Sequence, residues 1–142
     1  MMTNERKQSE DEVLSRKMPS NAYKFIGLDT GKPMLVIAAK TNRGNIYTLR
    51  IELDNFPNEI PKVFVNKMLY DKRGNALDDC SASMHTLSSE GGRTRICHYG
   101  YDSWTPRVSL YKVYIKCRLW LEMYELHLAN GKPIDHYLNH QD

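Results

Sequence analysis

The chain has few cysteines and no long apolar run. Its 142 residues include three cysteines, three phenylalanines and two tryptophans. Three thiols are an odd number without disulfide-scaffold spacing, so we expect reduced cysteines. No apolar run approaches the ~18 residues of a membrane span. The first twelve residues, MMTNERKQSEDE, lack the apolar segment of a secretory signal. We therefore expect a cytoplasmic protein that does not contact a membrane.

The charge balance is ordinary. The formal net charge is +3, with 26% charged and 41% hydrophobic residues. These values are typical of a globular domain and argue against wholesale disorder. Nucleic-acid binders usually show dense basic stripes, which this sequence lacks, so no nucleic-acid partner is expected. The length favours one domain over residues 9–142, preceded by a flexible N-terminus over residues 1–8.

A short helix and four strands are predicted in the first half of the chain. The helix covers residues 9–19, where Ser9 and Glu12 have the spacing of a capping box and Pro19 marks the exit. Strand-like segments follow at residues 23–28, 34–40, 46–53 and 62–65, separated by turn-rich strings such as DTGKP and TNRGN. The third segment, IYTLRIEL, alternates apolar and polar residues, which is typical of a half-buried antiparallel strand.

The second half begins with a long stretch of low periodicity. Residues 66–104 are rich in Gly, Ser and Asp, and predict an irregular loop that packs through its scattered apolar residues. A helical period returns over residues 109–130, with Ser109 as the expected N-cap and Gly131 at the expected end. The order of helix, four-stranded meander, loop and helix predicts an α+β fold, with helices on one face of an antiparallel sheet.

The segment YTLRIELDNFPNEIPKVFV, residues 47–65, resembles the passage from the third to the fourth strand of ubiquitin-conjugating (E2) enzymes. In that family, Phe-Pro follows an alternating strand, and a second proline precedes a short Val/Phe strand. The family then has a His-Pro-Asn motif, an Ile-Cys that carries the catalytic thiol, and a Trp-Ser-Pro that opens a helix. The corresponding residues are His85-Thr86-Leu87, Ile96-Cys97 and Trp104-Thr105-Pro106. The resemblance spans about residues 9–130 and implies the E2/UBC-like fold with an irregular active-site loop.

The sequence departs from that family at identifiable places. Thr86 and Leu87 stand where the family has proline and asparagine, and the asparagine is the residue that supports the oxyanion. The interval from His85 to Cys97 is slightly long, and one long helix ends the predicted fold. These departures are similar to those of divergent bacterial E2-like proteins. Some of these are encoded beside cGAS-like nucleotidyltransferases in antiphage signalling (CBASS) operons.

The resemblance implies a transferase that carries an acyl group as a thioester on Cys97 and passes it to an amine, such as a lysine of a target protein. The modifier would be a ubiquitin-like protein or the C-terminal tail of a cGAS-like nucleotidyltransferase. An activating (E1-type) enzyme would ordinarily supply the acyl group, because no ATP site is visible in this sequence. This chemistry needs no metal and no organic cofactor.

The residues around Cys97 suggest how its thiol is supported. A nearby cation or hydrogen-bond donor favours the reactive thiolate. Arg93 and Arg95 are candidates to stabilise the thiolate or to contact the incoming acyl tail. His98 is a candidate general base, hydrogen-bond donor or loop support. By the resemblance, His85 supports the loop through a hydrogen bond.

Transfer to an amine also needs a group that assists deprotonation and a donor for the oxyanion. Asp102, Tyr99 and Tyr101 are the local candidates for the first role. A backbone N–H, Asn75 or Thr86 are the candidates for the second.

Other interpretations remain open at the sequence level. Cys80, His85, Cys97 and His98 supply two Cys and two His for zinc, although no Cys-x-x-Cys element is present. A catalytically inactive E2-like binding module is a further alternative. Cys117 lies on the apolar stripe of the last helix and is expected in the core, Cys80 is expected to be incidental, and Trp104 is expected to anchor the active-site loop.

Overall fold

The computed structural model describes residues 2–138. Within that range the chain forms three α-helices, which are α1 (Asn4–Lys17), α2 (Leu110–Asn130) and α3 (Ile134–Leu138). It also forms six β-strands, which are β1 (Tyr23–Ile26), β2 (Met34–Lys40), β3 (Ile46–Glu52), β4 (Val63–Val65), β5 (Thr86–Glu90) and β6 (Arg93–Ile96). A 3₁₀ turn at Ser20–Ala22 joins α1 to β1. The predicted α+β class is confirmed, with a helix before an antiparallel sheet and a long helix after it along the chain.

The first helix begins before the predicted capping box. Thr3 is the N-cap, and its side chain accepts a hydrogen bond from the backbone N–H of Arg6 at 3.1 Å. Ser9 therefore lies inside α1, and residues 4–8, predicted to be flexible, are helical. The helix ends at Lys17, one residue before its C-cap Met18 and close to the exit predicted from Pro19. The predicted start at Ser9 was wrong. Thr3 is also a residue type that caps helices, and long-range contacts of Arg6 and Glu10 favour the helix that begins after Thr3.

Those contacts join α1 to the start of α2. The Glu10 side chain is buried, and its Oε1 accepts the backbone N–H of Leu110 at 2.7 Å. Its Oε2 pairs with the Arg6 guanidinium at 2.8 Å. The same guanidinium donates to the carbonyl oxygens of Pro106 and Val108. Glu10 lies one helical turn after Arg6. Together the two side chains form hydrogen bonds with backbone N–H and C=O groups about a hundred residues later in the sequence.

The sheet has the order β1-β2-β3-β4-β6-β5, and all neighbouring strands are antiparallel. The predicted meander of four strands is present as β1 to β4. The predicted total of four is wrong, because β5 and β6 extend the sheet beyond β4. Strand β6 pairs with β4, with Ile96 opposite Val63 and Arg95 opposite Phe64.

The β5–β6 hairpin lies within the stretch predicted to be an irregular loop. Gly91 and Gly92 form its turn with φ values of 60° and 72°, a conformation that a two-residue hairpin requires and glycine adopts freely. The strand sequences TLSSE and RTRI are polar, so they lack the apolar alternation that identifies a strand. The Gly-Gly pair is the signal that would have predicted this hairpin.

Helix α2 is the main element packed against the inner face of the sheet. Ser109 caps its N-terminus by accepting the backbone N–H of Lys112, and Gly131 ends it in the left-handed region at φ 80°. Both predicted ends are confirmed. Its buried side chains join those of the sheet in one core that includes Leu35, Ile37, Leu49, Ile51, Val113, Cys117, Trp120 and Leu121. Between residues 2 and 138, no helix is both long and apolar enough to cross a bilayer.

Candidate active site

Cys97 is the first residue after β6, at the point where the sheet passes into the loop before α2. Its side chain is half-buried, whereas Cys80 is exposed and Cys117 is fully buried. The backbone N–H of Cys97 donates to the carbonyl oxygen of His85 at 3.0 Å. The structure therefore brings together His85 and Cys97, which are twelve residues apart in sequence.

The Cys97 thiol lies in an environment that opposes ionisation. Partial burial raises the pKa of the Cys97 thiol, and the nearby Cys80 adds to this rise, while the Arg95 guanidinium opposes it. Of the two predicted arginines, Arg95 is the one with an electrostatic effect on this pKa. Cys97 is accordingly a thiol at neutral pH, with a minor and strongly nucleophilic thiolate fraction.

This pKa shift predicts slow alkylation of Cys97. In a Cys80→Ser background at pH 7.5, iodoacetamide should react with Cys97 more slowly than with free cysteine, because burial raises the pKa of the thiol and fewer molecules carry the thiolate. The alkylation rate should rise with pH, and the pH at the midpoint of this rise should be higher for Cys97 than for free cysteine. Arg95→Gln should raise this midpoint further. Mass spectrometry of the modified peptide gives the rates, and a midpoint below that of free cysteine would contradict the prediction.

Arg93→Gln is the matched comparison for that measurement. The Arg93 Nε donates to Asn66 Oδ1 at 3.0 Å, and its Nη1 donates to the Gly91 carbonyl oxygen at 3.4 Å. The Arg93 guanidinium is thus held at the hairpin turn, so its removal should shift the Cys97 midpoint less than the removal of Arg95.

The His98 side chain is partly buried, and its ring packs against protein groups. Its Nε2 lies 2.8 Å from the carbonyl oxygen of Pro61, so Nε2 carries the proton and donates it. Its Nδ1 is buried and has no hydrogen-bond partner within the described part of the chain. Burial lowers the pKa of His98 to about 4, and Lys116 and Arg95 lower it further, against the opposing bond to Pro61. The geometry gives neutral His98 a loop-supporting contact.

An aromatic row lies beside Cys97. Tyr99 packs edge-on against His98 and Trp104, with ring centroids 5.9 and 5.5 Å apart. Trp104 packs in turn against Phe56 at 6.2 Å, and its indole N–H donates to the Pro57 carbonyl oxygen at 3.1 Å. Trp104 thus ties the loop after Cys97 to the Phe-Pro segment, as its predicted anchoring role requires.

The other polar candidates occupy different places. Asp102 and Tyr101 lie exposed in the turn at residues 100–103, and the Tyr101 side chain is 93% exposed. The Lys116 ammonium lies over the Tyr99 ring, 4.2 Å from its centroid. Thr86 is buried, and its hydroxyl donates to the Asp79 carbonyl oxygen at 2.8 Å. Its hydroxyl hydrogen is therefore already used within the protein and is not free for an oxyanion.

Asn75, the other side-chain candidate for the oxyanion, belongs to a tight turn that begins at Asp71. The backbone N–H of Asn75 donates to Asp71 Oδ1 at 2.9 Å, and its side-chain amide lies 3.5 Å from Asp71 Oδ2. These bonds give Asn75 a local structural role in the turn. A backbone N–H remains the simplest oxyanion donor.

His85 is held by contacts from two other elements. It is the one non-glycine residue with positive φ, at 50°, among residues 2–138. Its carbonyl oxygen accepts both the Cys97 N–H and the Trp120 indole N–H, each at 3.0 Å. Its Nε2 lies 2.7 Å from Asp135 Oδ1 in α3. The sequence indicated neither Trp120 nor Asp135 as part of this site, because both contacts depend on how α2 and α3 pack.

The zinc interpretation finds no support in this geometry. Within residues 2–138, no three His, Cys, Asp or Glu side chains lie together in a way that could hold a metal ion. His85 Nε2 is bonded to Asp135 and His98 Nε2 to Pro61, so both nitrogens already have protein partners. The four residues Cys80, His85, Cys97 and His98 therefore do not form a ligand set in this conformation.

Comparison with known proteins finds no relative of this chain. No protein-family model matches the chain, and searches of curated proteins and of solved structures find no match.

Proposed function

We propose that the protein is an E2-like conjugating enzyme that carries an acyl group as a thioester on Cys97 and transfers it to an amine. The observation that carries the proposal is the hydrogen bond from the Cys97 N–H to the His85 carbonyl oxygen. This bond fixes the backbone of a half-exposed thiol at the end of a strand. A fixed nucleophile at the end of a strand, where β6 passes into the loop before α2, is accessible to the acyl tail of another protein.

The first step is an exchange between thiols. The Cys97 thiolate attacks the carbonyl carbon of a thioester on a partner protein, so a new C–S bond forms and the partner's thiolate leaves. In the second step the nitrogen of an amine attacks the same carbonyl carbon, an amide forms, and the Cys97 thiolate leaves. The proton lost by the amine passes to solvent or to the departing thiolate.

The raised pKa of Cys97 is compatible with this exchange. A thiolate of higher pKa is less abundant at neutral pH but intrinsically more nucleophilic, so the two effects partly cancel. A thiol that is mostly protonated also reacts slowly with oxidants and alkylating agents, which favours its reaction with a bound thioester.

The partners follow from the proposed chemistry and from the resemblance of the sequence. The modifier is a ubiquitin-like protein or the C-terminal tail of a cGAS-like nucleotidyltransferase, delivered by an activating (E1-type) enzyme in the cytoplasm. The acceptor is a lysine of a target protein. Conjugation of the nucleotidyltransferase itself would place the reaction in antiviral defence.

The test mixes the protein with a candidate modifier, its activating enzyme and ATP, and detects adducts by intact mass and non-reducing gels. We expect a thiol-sensitive adduct that is lost in Cys97→Ala and becomes thiol-resistant in Cys97→Lys. The matched control is Cys80→Ala, which should retain the adduct because the thioester is assigned to Cys97 and not to the exposed Cys80 thiol.

Two outcomes would refute the assignment of Cys97. One is an adduct that persists in Cys97→Ala, and the other is equal loss of the adduct in Cys80→Ala. A protein that binds the modifier but forms no adduct would instead be an inactive E2-like binding module.

A further inference from the structure

The short helix α3 reaches the segment that supports Cys97. Its first residue, Ile134, is fully buried, which fixes the helix on the core. The next residue, Asp135, makes two contacts with the segment before β5. Its backbone N–H donates to the Ser83 carbonyl oxygen at 2.8 Å, and its Oδ1 lies 2.7 Å from His85 Nε2.

The contact with His85 has a defined direction. An ionised carboxylate can only accept, so the His85 Nε2 carries the proton and donates it to Asp135. This bond fixes the imidazole while the His85 backbone is in the left-handed region, which few non-glycine residues adopt. The His85 carbonyl oxygen then points to the Cys97 N–H.

We propose that Asp135 is a positioning residue for Cys97 and acts through His85. Asp135 holds the His85 side chain, and the His85 carbonyl oxygen holds the backbone of the nucleophile. Trp120 donates to the same carbonyl oxygen from the core side, so Asp135 provides the restraint on the surface side. The C-terminal helix thereby sets the position of a thiol 38 residues earlier in the sequence.

The expected consequence is a change in the reactivity of Cys97. Without the Asp135 carboxylate, residues 83–85 open more often, and each opening exposes the half-buried thiol to solvent. A lower rate of acyl transfer would also follow, but that consequence rests on the proposed function. Alkylation by iodoacetamide requires no modifier, so it tests the positioning role even if the proposed function fails.

The experiment measures alkylation of Cys97 in the full chain with Cys80→Ser as background. Asp135→Ala should increase the rate about threefold or more by more frequent local opening. Asp135→Asn should stay close to the parent rate because its amide oxygen still accepts the His85 N–H. His136→Ala is the matched control, since the His136 side chain is exposed on the same helix and packs edge-on against Tyr137.

A double-mutant cycle separates this role from a general loosening of α3. If Asp135 acts through His85, Asp135→Ala should have no further effect in a His85→Ala background. An unchanged rate in Asp135→Ala would overturn the proposal. So would an equal increase in both backgrounds. The His85 and Asp135 side chains are 31% and 45% exposed, so these variants should fold, which circular dichroism can verify.

Discussion

Replacing Trp120 with alanine is expected to lower the free energy of unfolding by about 4 kcal/mol, the cost typical of deleting a large buried aromatic side chain. Trp120 is 1% exposed in the centre of the core. Its ring stacks on Tyr124, with centroids 5.5 Å apart and an interplanar angle of 5°. The cavity left by the indole would be lined by α2 and the sheet, which have little freedom to close it.

Trp120 also supports the candidate site. Its indole N–H donates to the carbonyl oxygens of Met84 and His85, both at 3.0 Å. Trp120→Phe keeps most of the buried ring but removes this donor, so we expect a smaller loss of about 1–2 kcal/mol. The two variants separate the contribution of packing from that of the hydrogen bonds.

Urea unfolding followed by circular dichroism measures both losses. Tyr101→Ala is the control, because the Tyr101 ring is 93% exposed and its removal should change stability by less than about 0.5 kcal/mol. A loss below about 1 kcal/mol in Trp120→Ala would contradict the burial of Trp120 in the core.

The second large effect is a loss of stability in acid that depends on His98. The pKa of His98 is lowered to about 4 in the folded state, chiefly by burial. The unfolded chain has the ordinary histidine value of about 6.5, so the unfolded state binds more protons between these values. The stabilisation is therefore complete above pH 6.5 and is lost as the pH falls towards 4. At pH 4.5 the expected decrease in the free energy of unfolding that is due to His98 is about 2.5 kcal/mol.

Comparison of His98→Gln with the parent protein isolates this contribution. Glutamine retains an N–H that can donate to the Pro61 carbonyl oxygen but does not titrate. We expect the difference in unfolding free energy between pH 7 and pH 4.5 to shrink by about 2 kcal/mol in this variant. His136→Gln, at an exposed position of α3, is the control. An identical pH dependence in parent and His98→Gln would show that His98 is accessible to protons in the folded state.

Both predictions concern residues whose surroundings the sequence did not reveal. The sequence placed Trp120 only within the predicted helix of residues 109–130. It made His98 a candidate general base, hydrogen-bond donor or loop support without indicating its partner. Their hydrogen-bond partners lie 35 to 37 residues away along the chain. Hydropathy patterns report which side of a local element is buried, but they do not report which distant carbonyl oxygen that element meets.

The alternation of residues 46–53 and the turn signals around it were enough to predict β1 to β4 and their order. The period of residues 109–130, with Ser109 and Gly131 at its ends, was enough to predict α2 and the burial of Cys117. These features are determined locally, because side-chain periodicity and capping depend on residues within a few positions of each other.

Three other features of the fold and of the site depend on tertiary structure and could not be predicted from local sequence. The polar hairpin of β5 and β6 becomes a pair of strands because β4 offers it an unpaired edge, and backbone groups must find hydrogen-bond partners. Glu10 is buried because the start of α2 presents an N–H to it. Asp135 meets His85 because Ile134 fixes α3 on the core. Each of these contacts joins residues far apart in sequence, so its formation depends on the packing of whole elements rather than on local preference.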